Sequence, residues 1–358
     1  MTWLITGGAG YIGAHVARTM AAAGERVVVL DDLSAGVPER LEGMPGPGRE
    51  PLLVRGSVPD RALLDRTFAE HEVTGVVHLA ARKQVGESVE QPLRYYRENV
   101  HGLTVLLEAV VAAGVRRFVF SSSAAVYGTP DVDLVTETTP CVPMNPYGET
   151  KLTGEWLVRA TGRAEGLTTV CLRYFNVAGA AEPRLADTGV FNIVPMFFDA
   201  LTRGEPPLIF GDDYPTPDGT CVRDYIHVQD LAEAHLAAAR RLSGSAAAGD
   251  GTAGGAAEGA TAGVAAGAVS GAVAEDLTVN IGTGKGLSVR EMADLVAEIT
   301  GRREPAAKVA ARRPGDPARV VASAALAEKE LGWTARHSVR DMIASAWEGW
   351  CLRHPEAR

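Results

Sequence analysis

Cysteine is scarce in this chain: four residues, at 141, 171, 221 and 351, with no Cys-x-x-Cys pair. Such scatter supports neither a disulfide framework nor a structural zinc site, and no histidine cluster has metal-ligand spacing, so no metal is expected. Lys and Arg never gather into a basic stretch, and the formal net charge is −9. No nucleic-acid partner is expected, although a local pocket can still be positive. No apolar run is long enough to span a bilayer, so no membrane is expected. The opening "MTWLITGGAG" passes at once into a strand and a glycine loop, unlike a signal or transit leader, and the cytoplasm is the expected compartment. Aromatic residues make up only 6% of the chain while 46% of it is hydrophobic. The core must therefore be Val, Leu, Ile and Ala, as where helices cover parallel strands.

What is present is a rhythm. "TWLIT" (2–6), "RVVVL" (26–30), "PLLV" (51–54), "GVVHLA" (75–80), "RFVFSSS" (117–123) and "TTVCLRYF" (168–175) read as strands. Helical patterns at 11–23, 60–70, 92–113 and 147–165 lie between most of them. Repeated β–α units predict an α/β fold with a doubly wound parallel (Rossmann) sheet over residues 1–175. Residues 176–358 read mostly as a smaller substrate-binding domain. Within it the strand "VRDYIHV" (222–228) and the helix at 229–242 return toward the first domain, and 277–352 is a last mixed block. Between them, 22 of the 33 residues from 243 to 275 are Ala or Gly. That stretch can bury little and is expected to be a flexible insert.

"TGGAGYIG" sets Gly7, Gly10 and Gly13 between the first strand and the first helix. Glycines let the turn close and a pyrophosphate approach the backbone, while the helix N-terminus offers N–H donors. Asp31 ends the second strand, 18 residues after Gly13. A carboxylate there can bind adenosine ribose hydroxyls and repel a 2′-phosphate, so NAD is expected in preference to NADP.

A dinucleotide site changes how "NPYGETK" (145–151) reads. Asn145 can cap a helix, Pro146 suits its first position, and Tyr147 and Lys151 then share one face. Ser121, Ser122 and Ser123 end the fifth strand, at the sheet edge where such folds bind ligands. Free tyrosine, with a pKa of roughly 10, is too protonated to act as a base at neutral pH. A nearby lysine and a positive nicotinamide both favour the phenolate, and a serine hydroxyl can hold the reacting oxygen.

The stretches "TGGAGYIGAH", "HLAARKQVGESVEQPLRYY", "SSSAAVYG", "NPYGETK", "RYFNVAGA" and "FGDDYPTPDGTCVRDYIHV" together resemble the extended short-chain dehydrogenase/reductase family and, within it, the UDP-glucose 4-epimerase family. The likeness covers nearly all of the chain except 243–275. It implies Tyr147 as the proton-transferring residue, Lys151 as its partner and a ribose ligand, and Ser123 as a substrate contact. For NAD it points to Tyr11 and Ile12, to Asp31, Asp32, Leu33, Ser34, Ala35 and Gly36, and to Leu79, Ala80, Ala81 and Lys83. Asn99 and Phe175 would join them. For a UDP-hexose it points to Asn176, Asn192, Leu208, Ile209, Phe210, Arg223, Arg313 and Asp316. Arginine can fork onto phosphate oxygens and aspartate can hold ribose hydroxyls. The implied reaction is reversible C4 epimerisation through a 4-keto sugar, as in galactose metabolism, by a homodimer.

Two departures from the family's pattern stand out, one of them the long Ala/Gly insert at 243–275, which is expected to be peripheral. The family's Gly-Asp after the third strand is "RGSVPD" here, so Ser57, beside Val58, takes the place expected to meet adenine. A residue shortly after the Arg-x-Gly-Asp stretch borders the hexose, and Val320 stands at that position. A 4,6-dehydratase would show Asp-Glu where this chain has Ala124 and Ala125. A regulator that only senses NAD would not need Tyr147 and Lys151.

Overall fold

The computed structural model describes residues 1–44, 52–249, 276–313 and 315–358. Seven parallel strands form the central sheet: β1 (Thr2–Thr6), β2 (Arg26–Asp31), β3 (Leu52–Arg55), β4 (Gly75–His78), β5 (Arg117–Ser123), β6 (Thr168–Tyr174) and, far along the chain, β10 (Leu277–Ile281). Their spatial order is β10-β6-β5-β4-β1-β2-β3. Strand order reverses between β1 and β4, which opens a crevice at their carboxyl ends. One face of the sheet packs on α1 (Tyr11–Ala22) and α8 (Val228–Gly249), through residues such as Val29, Met20 and Leu231. The other face packs on α2 (Arg61–His71), α5 (Gly102–Ala112) and α6 (Pro146–Glu165), through Leu64, Leu106 and Val158.

Three expectations change. The run at 277–282, read as part of the C-terminal block, supplies β10 and closes the edge of the main sheet against β6. The helix expected at 92–113 is three pieces, α4 (Pro92–Tyr95), a π-helical turn (Tyr96–His101) and α5, and a short α3 (Val85–Glu90) precedes them. The stretch expected to be a flexible insert begins inside α8, which continues to Gly249 because alanine carries it on. Residues 250–275 lie outside the described residues.

The remaining elements cap the carboxyl edge of the sheet. Strand β9 (Val222–His227) is their spine. It pairs with β7 (Asn176–Ala178), β11 (Gly286–Ser288) and β13 (Arg319–Val320), while β8 (Leu208–Phe210) pairs with β12 (Lys308–Ala310). A separate apolar cluster joins α7 (Ile193–Thr202), α9 (Val289–Thr300) and α11 (Val339–Arg353), centred on Phe198, Met292 and Trp350. Helix α10 (Ala325–Leu331) leads back to α8 through Trp333, whose indole donates to Asp230 O at 3.0 Å. Ser288 and Ser338 start α9 and α11 with reciprocal capping boxes. Among the described residues, no helix is long and apolar enough to cross a membrane.

Candidate active site

The glycine loop runs from β1 into α1 over the crevice. Gly7 has φ +70°, and a Cβ there would sit 2.8 Å from Ala80 N; a Cβ on Gly13 would sit 2.1 Å from Gly7 O. Only backbone fits. No side chain caps α1 at Gly10, so the first N–H groups of the helix face the loop without a protein partner of that kind. The cradle therefore fits a dinucleotide pyrophosphate. Tyr11 contributes its place at the helix start, not its phenol, which donates to Gly179 O at 2.6 Å.

Asp31 is buried and accepts from Ala9 N at 3.0 Å and Leu33 N at 2.9 Å. Burial pushes its pKa up and those N–H groups pull it back. Asp32 accepts from Ser34 N at 2.9 Å, Leu33 takes φ +62°, and a Cβ on Gly36 would meet Asp31 Oδ1 at 2.5 Å. The turn 31–36, with Ala35 in it, thus wraps its first carboxylate. Ser57 and Val58 follow β3, where Ser57 O accepts from Asp60 N at 3.0 Å and Val58 is buried. After β4, Leu79 N bonds Thr6 O at 3.1 Å and Ala80 lies against Gly7, with Ala81 following and Lys83 exposed.

Helix α6 carries the next group. Asn145 Oδ1 accepts from Gly148 N at 2.9 Å, and Pro146 opens the first turn. Tyr147 is buried, with the Ser123 hydroxyl at the end of β5 acting on its phenol to lower its pKa against the rise from burial. Lys151 Nζ donates to Ser121 O at 2.8 Å and lies 6.0 Å from the Tyr147 ring centre. The three serines diverge: Ser121 Oγ meets His235 Nε2 at 3.1 Å, Ser122 Oγ donates to Glu155 Oε1 at 2.5 Å, and Ser123 Oγ accepts from Ala125 N at 3.2 Å and is the one that acts on the Tyr147 phenol.

The expected electrostatics need correcting. Burial raises the Tyr147 pKa, and the opposing influence is the Ser123 hydrogen bond rather than Lys151. Burial also pulls Lys151 down to about 8, with Glu155 opposing. Each group, closed off from water, resists its own charged form. The protein by itself does not hold a phenolate.

Across the crevice, Arg223 Nη2 lies 3.8 Å from Asp316, and the Arg313 guanidinium lies 3.7 Å from the centre of the Phe210 ring. Leu208, at the start of β8, is exposed, whereas Ile209 points into the C-terminal core. Alternation along a strand leaves Ile209 only its backbone to offer. Asn176 Nδ2 donates to Asp224 O at 3.0 Å and Asn192 Nδ2 to Asp187 Oδ2 at 3.3 Å. Val320 pairs in register with Arg223, and its buried side chain packs in a small cluster with Phe175 and Tyr127.

Asn99, expected among the NAD contacts, is also bound to protein groups. Its Oδ1 accepts from Arg82 N at 2.8 Å, and its Nδ2 donates to Arg82 O at 3.0 Å and Thr150 Oγ1 at 3.0 Å. Both amide donors are occupied, so Asn99 pins the loop 79–83 to α6. Sequence reasoning also passed over Glu155, which accepts from Arg173 Nε at 2.8 Å and Nη2 at 2.6 Å. Its signal was there: Glu155 repeats the Tyr147–Lys151 interval once more. It passed over Asp224 as well, although its neighbour Arg223 was singled out.

The model of the NAD dependent epimerase/dehydratase family matches residues 3–250. The UDP-glucose 4-epimerase of Azospirillum brasilense is 43% identical over 352 residues, which cover 96% of this chain and 91% of that one. A UDP-glucose 4-epimerase from Stenotrophomonas maltophila, solved with NAD and formylated UDP-arabinopyranose, is 38% identical over 99% of both chains, with a TM-score of 0.85. The enzyme from Bifidobacterium longum, solved with NAD+ and UDP, is 37% identical over 100% of both, with a TM-score of 0.83.

Proposed function

The chain belongs to the NAD dependent epimerase/dehydratase family, and from that premise we propose that it interconverts UDP-glucose and UDP-galactose by epimerisation at C4. The observation that carries this reading is the buried Tyr147 and Lys151 of α6 beside Ser121 and Ser123 at the carboxyl end of β5, in the same sheet whose β1 opens into the glycine cradle. Bound NAD+, held by the glycine cradle and Asp31, would supply the acceptor and donor of the C4 hydride and a positive charge that favours the phenolate. Tyr147 takes the C4 hydroxyl proton and later gives it back, while Ser123 holds the hydroxyl oxygen in line. Lys151, anchored on Ser121 O at 2.8 Å, would hold the ribose of the bound cofactor.

Arg223 and Arg313 grip the diphosphate and Asp316 the uridine ribose. The 3.8 Å separation of Arg223 from Asp316 leaves both groups open to exchange each other for substrate. An anchored diphosphate with a loosely held hexose lets the 4-keto sugar turn its other face before hydride returns. The test is to incubate purified protein with UDP-galactose and no added NAD: UDP-glucose must appear.

Asp31 carries the cofactor preference. Asp31→Ala weakens NAD binding and narrows the gap between NAD and NADP, because it removes both a ribose acceptor and the charge that repels a 2′-phosphate. Dissociation constants for the two cofactors measure this. An unchanged ratio would assign the preference to another group.

Valine at 320 favours a second substrate class, the N-acetyl UDP-hexosamines, because it is small where bulk would border C2 of the sugar. Val320→Tyr overpacks the site by ~1–3 kcal/mol, which corresponds to roughly five- to 150-fold. That loss falls on the N-acetyl substrate. Equal losses on plain and N-acetyl sugars would reduce Val320 to packing.

A homodimer and a cytoplasmic setting complete the reading. Leu93, Tyr96 and Trp156 are exposed, and Tyr96 OH bonds Glu149 at 2.7 Å, seven residues before Trp156 on the same stripe of α6. A second copy of this face would cover them. Trp156→Glu yields a monomer in sedimentation if so, and an unchanged mass would dismiss this face. All four cysteines are free thiols, as suits a reducing compartment.

A further inference from the structure

Helix α6 addresses β5 three times. Tyr147, Lys151 and Glu155 recur every four residues on one face; Lys151 meets Ser121 O, Glu155 meets Ser122 Oγ, and Ser123 is the neighbour that acts on the Tyr147 phenol. Glu155 is fully buried. Its two oxygens take both prongs of the Arg173 fork from β6, where Arg173 is the register partner of Ser122. Arg173 Nη1 continues to Tyr127 OH at 2.9 Å, and Tyr127 OH donates to Asn280 Oδ1 at 2.6 Å on β10. The third contact of α6 is thus clamped by three adjacent strands. No ligand atom is needed to complete it.

We propose that Glu155 is a positioning residue of the epimerase site: it fixes the register of α6 against β5 through Ser122 and supplies the carboxylate that answers the Lys151 ammonium. The inference rests on the epimerase reading for its kinetic consequence, not for its geometry. Around Lys151 stand Tyr147 on α6, His78 on β4, and His235 and Tyr174, which both meet Ser121. Burial keeps His78 and His235 neutral at physiological pH, with pKa values of about 3 and about 4. Around Glu155 stand Arg173 and Cys171 on β6, Arg159 on α6, and Cys141 in the preceding loop. Burial and the negative field hold both thiols above their ordinary values. Glu155 is therefore the anion that favours the charged lysine.

The experiment uses Glu155→Gln and the double variant Glu155→Gln/Arg173→Gln. The single variant leaves the Arg173 guanidinium buried without its carboxylate and may not be used alone for that reason; the double variant removes both charges and keeps hydrogen-bonding shape. The first readout is the titration of Lys151 by ¹³Cε NMR, assigned with Lys151→Met. Its midpoint moves to lower pH in both variants. The second is the pH profile of turnover. A midpoint lowered by about one unit leaves about tenfold less ammonium on its alkaline side, so turnover there falls about tenfold while KM for the UDP-sugar holds. In the double variant melting temperature and NAD content recover, but the alkaline limb stays displaced. A Lys151 midpoint unmoved in the double variant, or a wild-type pH profile restored by it, overturns the proposal. A wild-type protein without epimerase activity would sink the functional reading instead, and the NMR titration would still decide the role of Glu155.

Discussion

Replacing Tyr147 with phenylalanine lowers turnover of UDP-galactose by at least about 10²–10⁴-fold, the range for losing a general acid–base group. Bound NAD and melting temperature stay near wild type. The ring of Tyr147 is buried and remains in the variant, whereas the lost hydroxyl is the group that would meet the reacting oxygen beside Ser123. A purely structural phenol would show the opposite pattern, with stability falling and turnover per folded molecule holding. Activity within a few-fold of wild type removes Tyr147 from the proton path.

The size of that effect depends on how the phenol is poised. Burial raises the pKa of Tyr147 and lowers that of Lys151 to about 8, so at neutral pH the phenol keeps its proton while the lysine is still mostly an ammonium. Ser123 is the protein group that pulls the other way on Tyr147. Losing the Ser123 hydroxyl would therefore both misalign substrate and make the phenol a weaker acid.

The parts of this site that lie close together in sequence were legible. The glycine spacing, the acid at the end of β2 and the Tyr–Lys interval each encode a local geometry, and strand periodicity marked the first six strands of the sheet. Partnership across the chain was not legible. The run at 277–281 has the pattern of a strand, but nothing local says that it joins β6 rather than the C-terminal block. Asn99 is a polar residue near a nucleotide loop in either role, and only the positions of Arg82 and Thr150 decide that its amide holds protein. Ile209 sits in a short strand whose inward and outward positions depend on where β12 lies. The lysine–tyrosine argument took account of proximity and missed desolvation, which requires knowing that both groups are closed off.

Asp224→Ala destabilises the protein by about 3–9 kcal/mol, on the basis of about 1–3 kcal/mol for each of three buried backbone N–H groups left unsatisfied. Asp224 is fully buried in β9. Its Oδ1 accepts from Thr283 N at 2.9 Å and Thr283 Oγ1 at 2.7 Å, and its Oδ2 from Gly284 N at 2.9 Å and Ala322 N at 3.2 Å. One carboxylate thereby ties the turn after β10 and the chain after β13 to the spine of the substrate-facing half. Removing it strands three backbone N–H groups, and the loss is a large share of the 5–15 kcal/mol typical of a whole protein. Asp224→Asn fares little better, because its NH₂ must point a donor at donors. The functional consequence follows from the neighbours, since Arg223 precedes Asp224 on β9 and Val320 pairs with Arg223. At temperatures where the variant is still folded, KM for the UDP-sugar rises while bound NAD, held at the other end of the crevice, does not change. Chemical denaturation gives the stability loss and steady-state kinetics give the KM. A variant with wild-type stability would mean that water replaces the carboxylate at all three amides.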